Sequence, residues 1–257
     1  MGAMERARLL PLVGAFNFRD LGGYPVAGGG ATRWDRLYRS DTLHELTEGD
    51  LETLADVGLR TVIDLRTPEE VSRNGRGPLA RSAVGYLNLS VLPTEGGESI
   101  GAPAPEAGMS ERYLWYLEVG AGALVQALEA LADERSYPVV FHCTAGKDRT
   151  GVLASLVLEA CGVDRDTIVT DYVLTEERLD LILDRLRRDP HVGPRLENVA
   201  RSRLAVEASA MEGFLEGLDG RFGGVRGWAA RAGLDGAVLD RIVRILVEPA
   251  SSPAAEA

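Results

Sequence analysis

The sequence is poor in several things at once. Its 257 residues include two cysteines, three histidines and, among 28 basic side chains, a single lysine, Lys147. Two cysteines cannot staple a disulfide scaffold. If residues 150–161 are helical, Cys143 and Cys161 stand at opposite ends of the helix, roughly 18 Å apart at ~1.5 Å per residue. A disulfide needs Cα atoms within about 7 Å, so two free thiols and a reducing compartment are expected. No apolar run reaches the length of a membrane span. The stretch Met1–Pro11 is too short and too weakly apolar for a secretory signal. Gly2 invites myristoylation, but Arg6 stands where Ser or Thr is needed. A cytoplasmic protein is the default, with export by an unrecognised route left open. Basic charge is also short: 39 acidic residues leave the chain at −11, the wrong sign for a general nucleic-acid binder.

What is present suits a globular core, with 45% hydrophobic and 26% charged residues. Residues 1–14 read as an N-terminal extension, 15–248 as a single domain and 249–257 as a disordered tail. Gly28–Gly30 reads as a hairpin turn before a strand at 36–39. Thr47, with Asp50 three residues on, opens a helix that ends near Gly58. Residues 61–65 form an apolar strand. Thr67-Pro68-Glu69-Glu70 starts another helix, with a cap, a proline in the first turn and acids facing the helix dipole. A strand follows at 84–90. Between 92 and 107 the composition turns to Pro, Gly and Glu, a long loop of the kind that serves as a flap or lacks order.

Helices are expected at about 110–118 and 121–133, and a buried parallel strand at 138–142. Residues 150–160 are apolar nearly all round, which makes that helix central. Beyond it, apolar stripes on Leu179, Ile182, Leu183 and Leu186, on Met211, Phe214, Leu215 and Leu218, and on 238–246 read as helices packed on the core. A flap over a binding site is the second reading of 173–188. The order of elements predicts an α/β fold, a central mostly parallel sheet flanked by helices, with a helical C-terminal part.

One segment carries chemistry: Val139-Val140-Phe141-His142-Cys143-Thr144-Ala145-Gly146-Lys147-Asp148-Arg149-Thr150-Gly151. A short loop between a buried strand and a helix start turns successive amides toward one point, and the helix dipole adds to them. Gly146 permits the tight backbone. Such a site favours the thiolate form of a cysteine. Arg149 can grip two phosphate oxygens with its planar fork, and Thr150 is placed to donate a hydrogen bond to the sulfur. Together they suit phosphoryl transfer through a cysteinyl-phosphate. A buried cysteine beside an ordinary Arg salt bridge is the bland alternative. A Walker-A loop is ruled out, because Asp148 follows Gly146-Lys147 and the first glycine is missing.

The segment resembles the signature loop of the cysteine-dependent tyrosine phosphatases. Its fuller form, Cys143 to Arg149, is similar to that of the atypical bacterial tyrosine and lipid phosphatases of the mycobacterial tyrosine phosphatase B type. Asn17-Phe18-Arg19-Asp20-Leu21-Gly22-Gly23, Tyr38-Arg39-Ser40-Asp41 and Ile63-Asp64-Leu65-Arg66 match that family in order, so the resemblance spans roughly 15–247. It implies the cysteine-phosphatase fold with the loop at the carboxyl edge of the sheet. It also implies Cys143 as nucleophile, Arg149 as the phosphate-binding and transition-state group, and no metal or cofactor.

Phosphate, sulfate or vanadate should fit the loop, lined by Thr144, Ala145, Gly146 and Lys147. Lys147 reads either as an extra cation for a phosphoprotein or phosphoinositide substrate or as a lysine facing solvent. The general acid is expected to be Asp148, whose alternative is to hold Arg149 or the loop backbone. Glu95, Glu98 and Glu106 of the 92–107 loop are the other carboxyls in reach. Arg19 and Asp20 read either as reaching the loop or substrate or, with Asn17, as fixing the N-terminal segment. His142 orients the cysteine backbone, His44 and His191 carry no signal, and Cys161 is a core thiol. Two rivals remain: a sulfurtransferase with a similar loop, and a phosphate-reading interaction module.

Overall fold

The computed structural model describes residues 6–93, 102–197, 199 and 204–250. In chain order its strands are β1 (Arg19–Asp20), β2 (Ala31–Thr32), β3 (Leu37–Ser40), β4 (Thr61–Asp64), β5 (Gly85–Asn88), β6 (Val139–His142) and β7 (Val247–Glu248). Five of them form the main sheet in the order β1-β3-β6-β4-β5, and only the β1–β3 pair is antiparallel. β6 lies in the middle with all four residues buried. A strand covered on both faces must be apolar throughout, and Val139-Val140-Phe141 is. β2 and β7 pair separately.

Helices α1 (Glu48–Asp56), α2 (Pro68–Asn74), α3 (Gly108–Val119), α4 (Ala121–Leu131), α5 (Asp148–Ala160), α6 (Arg165–Val173) and α7 (Glu176–Arg188) are joined late in the chain by α8 (Ala208–Phe222), α9 (Gly224–Arg231) and α10 (Gly236–Leu246). α1 opens with the cap expected of Thr47 with Asp50 and α2 with the cap expected at Thr67, and in both the acid three residues on, Asp50 or Glu70, closes a capping box. The run from Arg149 to Leu158 in α5 is buried, so this helix contributes apolar surface to every side of the core. α8 packs on α3, α6 and α9, which makes the C-terminal part helical as expected.

α6 and α9 lie in the part of the chain after Gly162 that is expected to be helical, outside the helices placed by apolar stripes. The stripe on α7 faces the core, with Ile182 fully buried. Buried Arg185 ties that helix to Asp41 and to the Gly14 carbonyl, so 173–188 packs on the body in this structure. Of the N-terminal stretch read as an extension, Leu10 donates its amide to the Phe18 carbonyl at 2.9 Å. The amides of Val13 and Gly14 bond the Asp50 carboxylate, and Leu12 is buried. Met1–Glu5 and 251–257 lie outside the described residues. Cys143 and Cys161 are both free thiols, one on each side of α5. Among the described residues no helix is long and apolar enough to cross a membrane.

Candidate active site

β6 ends at His142, α5 begins at Asp148, and the loop between them starts with Cys143. Gly146 makes the turn with φ +66°. A Cβ on it would lie 2.6 Å from both the Asp41 amide and the Ser40 carbonyl, so the end of β3 presses directly on the loop. The loop carbonyls are held from that side: Thr42 N–H donates to Thr144 O at 3.2 Å. Arg39 Nη2 and Asn17 Nδ2 donate to Gly146 O at 2.8 and 3.4 Å. Carbonyls tied down on one side leave the loop amides for the other, the arrangement that cradles an anion.

Cys143 sits at the foot of this loop, 2% exposed. Arg149 is in the first turn of α5 and its guanidinium is turned inward. Nη1 and Nη2 bond the two oxygens of Glu70 at 2.6 and 2.9 Å. Nη2 also reaches Thr144 Oγ1 at 3.3 Å, and Thr144 donates its hydroxyl to Glu70 as well. Burial alone would raise the Glu70 carboxyl, but the Arg149 charge and these hydrogen bonds outweigh it and bring it down to about 2. Glu70 is therefore a fixed anion that aims Arg149 across the loop. In the chain Glu70 stands as a helix-start acid, and nothing local signals this second role.

Behind the loop lies a buried charge cluster. Asp171 of α6 accepts from Arg19 Nε at 3.0 Å, from Arg39 Nη1 at 2.5 Å and from Tyr24 OH at 2.9 Å. Burial acts to raise this carboxyl, yet the two arginines hold it well below the usual range. Arg19 also bonds Asn17 Oδ1 and the Asp171 carbonyl. Asp41 accepts from the amides of Phe16 and Asn17. The sequence segments around Asn17, Arg39 and Asp41 thus converge on the back of one loop.

Residues 10–248 match the tyrosine phosphatase family, nearly the whole chain. The chain belongs to that family. The triple specificity protein phosphatase PtpB of Mycobacterium tuberculosis is 29% identical over 276 residues, covering 92% of this chain and 98% of PtpB. A Cupriavidus necator protein named as a tyrosine-protein phosphatase is 36% identical over 174 residues, 63% of this chain and 61% of its own length. The tyrosine-protein phosphatase of Nostoc commune is 31% identical over 148 residues, 57% and 50% of the two chains. A family match of this extent sets aside the sulfurtransferase and interaction-module readings.

Within this phosphatase the remaining expected residues fall into three places. Thr144, Ala145 and Asp148 are the partly exposed members of the loop. Asp148 Oδ1 accepts from Tyr113 OH at 2.6 Å and lies 3.5 Å from Lys147 Nζ. Asp148 is not the group that holds Arg149, since Glu70 does that. Lys147 is 3% exposed. Its ammonium donates to the carbonyls of Leu204 and Ala205, which corrects the solvent-facing reading. Thr150 Oγ1 is buried without a hydrogen-bond partner, so the expected bond to the sulfur is not formed.

Arg19 and Asp20 turn their side chains to protein partners. Arg19 is consumed by Asp171 and Asn17. Asp20 accepts from the amides of Gly22 and Asp35, and burial pushes its carboxyl up to about 6. Both fix the N-terminal segment, the second of their two readings. His142 is buried, its Nδ1 3.0 Å from the Cys143 carbonyl and its Nε2 3.6 Å from Asp64. Burial favours its neutral ring. Glu106 is exposed in the turn Pro105–Ala107, and Glu95 and Glu98 lie outside the described residues.

Proposed function

We propose that the chain hydrolyses phosphotyrosine, and also phosphoserine or phosphothreonine and phosphoinositide monoesters, through a phosphorylated Cys143. The observation that carries the reading is the pairing of a loop whose carbonyls are held from behind with an inward-turned Arg149 seated on Glu70. In the first step Cys143 Sγ attacks phosphorus. The S–P bond forms, the ester P–O bond breaks, and the leaving oxygen takes the proton of Asp148. Arg149 and the loop amides stabilise the charge on the equatorial oxygens. In the second step water attacks phosphorus and gives its proton to the Asp148 carboxylate. The S–P bond breaks and inorganic phosphate leaves. Both free thiols suit a reducing, cytoplasmic compartment.

The test is hydrolysis of p-nitrophenyl phosphate with inhibition by vanadate. Cys143→Ser should abolish turnover and still bind vanadate. Turnover by that variant would overturn the cysteine mechanism. Side-by-side rates on a phosphotyrosine peptide, a phosphoserine peptide and phosphatidylinositol monophosphates define the substrate range. Activity on the peptides alone would remove the lipid part of the proposal.

A further inference from the structure

Three helices bring one hydroxyl to the loop. Tyr113 of α3 is fully buried. Its ring meets Phe214 edge-on at 6.2 Å and Tyr172 at 6.1 Å. Its hydroxyl lies 2.6 Å from Asp148 Oδ1 and 2.8 Å from the hydroxyl of Tyr172 on α6. We infer that Tyr113, itself held by Tyr172, is a positioning residue for the general acid, donating to Asp148 Oδ1 and so leaving Oδ2 to carry the proton to the leaving oxygen. The inference rests on Asp148 being that acid and assigns how the acid is aimed.

The physical argument is one of orientation. Asp148 opens α5 with a side chain 28% exposed, and a carboxyl at a helix start has several rotamers open to it. A general acid has to meet its acceptor within about 3 Å on a defined trajectory. A hydroxyl on Oδ1 fixes both the rotamer and the oxygen that carries hydrogen. Lys147 Nζ faces the same Oδ1 at 3.5 Å, so both neighbours crowd one oxygen. Tyr113 can only donate to an ionised Oδ1, and its own hydrogen-bond acceptance is taken up by Tyr172. Burial pushes both tyrosine hydroxyls above their ordinary range, which keeps them neutral through the pH range of the reaction.

The experiment compares p-nitrophenyl phosphate, whose leaving group needs little protonation, with phenyl phosphate, whose leaving group needs much. Asp148→Asn should lower kcat/KM on phenyl phosphate by about 100-fold or more and far less on p-nitrophenyl phosphate. Tyr113→Phe should lower the phenyl phosphate value about tenfold, leaving p-nitrophenyl phosphate and vanadate inhibition within about twofold. The double variant should be no slower than Asp148→Asn, because the two groups act as one unit. Equal losses of Tyr113→Phe on both substrates, or additive losses in the double variant, would overturn the inference. If Asp148→Asn itself shows no dependence on the leaving group, the acid assignment fails and the inference with it. Should Tyr113→Phe fail to fold, Tyr172→Phe keeps the Tyr113–Asp148 bond but loosens its anchor, and should reproduce the same selective loss at about threefold. An unselective effect there counts against the inference.

Discussion

Both terminal nitrogens of Arg149 rest on the carboxylate of Glu70, at 2.6 and 2.9 Å, and the same carboxylate caps α2 by accepting from the Thr67 amide at 2.7 Å. A single side chain therefore fixes a helix start and the direction of a phosphate-binding guanidinium.

Replacing Glu70 by Gln should lower kcat/KM about 10- to 100-fold, because removing one partner of a buried pair leaves the other uncompensated. Stability should change its pH dependence too. The folded carboxyl lies at about 2, below the ordinary ~4.3. Its contribution is fully present above the ordinary value and is lost as pH falls toward the folded one. Urea unfolding between pH 5 and 2, taken in steps of about one unit, should show a slope in the parent that is shallower in Glu70→Gln. Equal slopes would detach Glu70 from Arg149.

Gly146→Ala tests the close approach of β3 to the loop. A β-carbon there meets backbone atoms at 2.6 Å in a left-handed conformation. The cost should be about 1–3 kcal/mol in unfolding free energy. The loop has to shift, so turnover should drop more than a hundredfold, estimated from the sensitivity of catalysis to displacements of about 1 Å. A variant with parental kinetics would show the loop to be tolerant of displacement.

Asp171→Asn leaves Arg19 and Arg39 facing each other with no counter-ion. The expected loss is about 3–5 kcal/mol, measured by denaturant titration. Arg39 also holds the Gly146 carbonyl, so activity on every substrate should fall in step with the loss of loop order. An unfolding midpoint equal to the parent's would mean that the cluster is not a keystone of stability.

Lys147→Met separates two uses of the lone lysine. Its ammonium is spent on the carbonyls of Leu204 and Ala205. Losses should therefore be a few-fold and similar for a phosphotyrosine peptide and a phosphatidylinositol phosphate, the size expected for a few hydrogen bonds to a charged group. A selective loss on the lipid would instead assign the lysine to a polyanionic headgroup.

The parts that were legible in the sequence are those whose causes are adjacent in the chain. The strand, loop and helix that carry Cys143 and Arg149 are contiguous, and the Thr47 and Thr67 caps are completed three residues on. What was not legible depends on partners far along the chain. Arg149 and Glu70 are 79 residues apart, and Arg39 and Asp171 are 132 apart. Asp171 is a single acid on a helix that Asp164 caps, so α6 had a local signal in the chain while the role of Asp171 had none. Arg19 and Asp20 were visible as a motif, but which way their side chains turn depends on Asp171 and on the Asp35 amide.

β3 and β4 are neighbours in the sheet only through β6, which lies between them and begins at Val139. The two outer strand pairs, β1 with β3 and β4 with β5, cannot join without the stretch that ends at His142. The reactive sulfur arrives on the piece that closes the gap. The thiol and the strand that completes the frame sheltering it are thus one contiguous piece of chain, so no sheet can close without bringing the nucleophile to its edge.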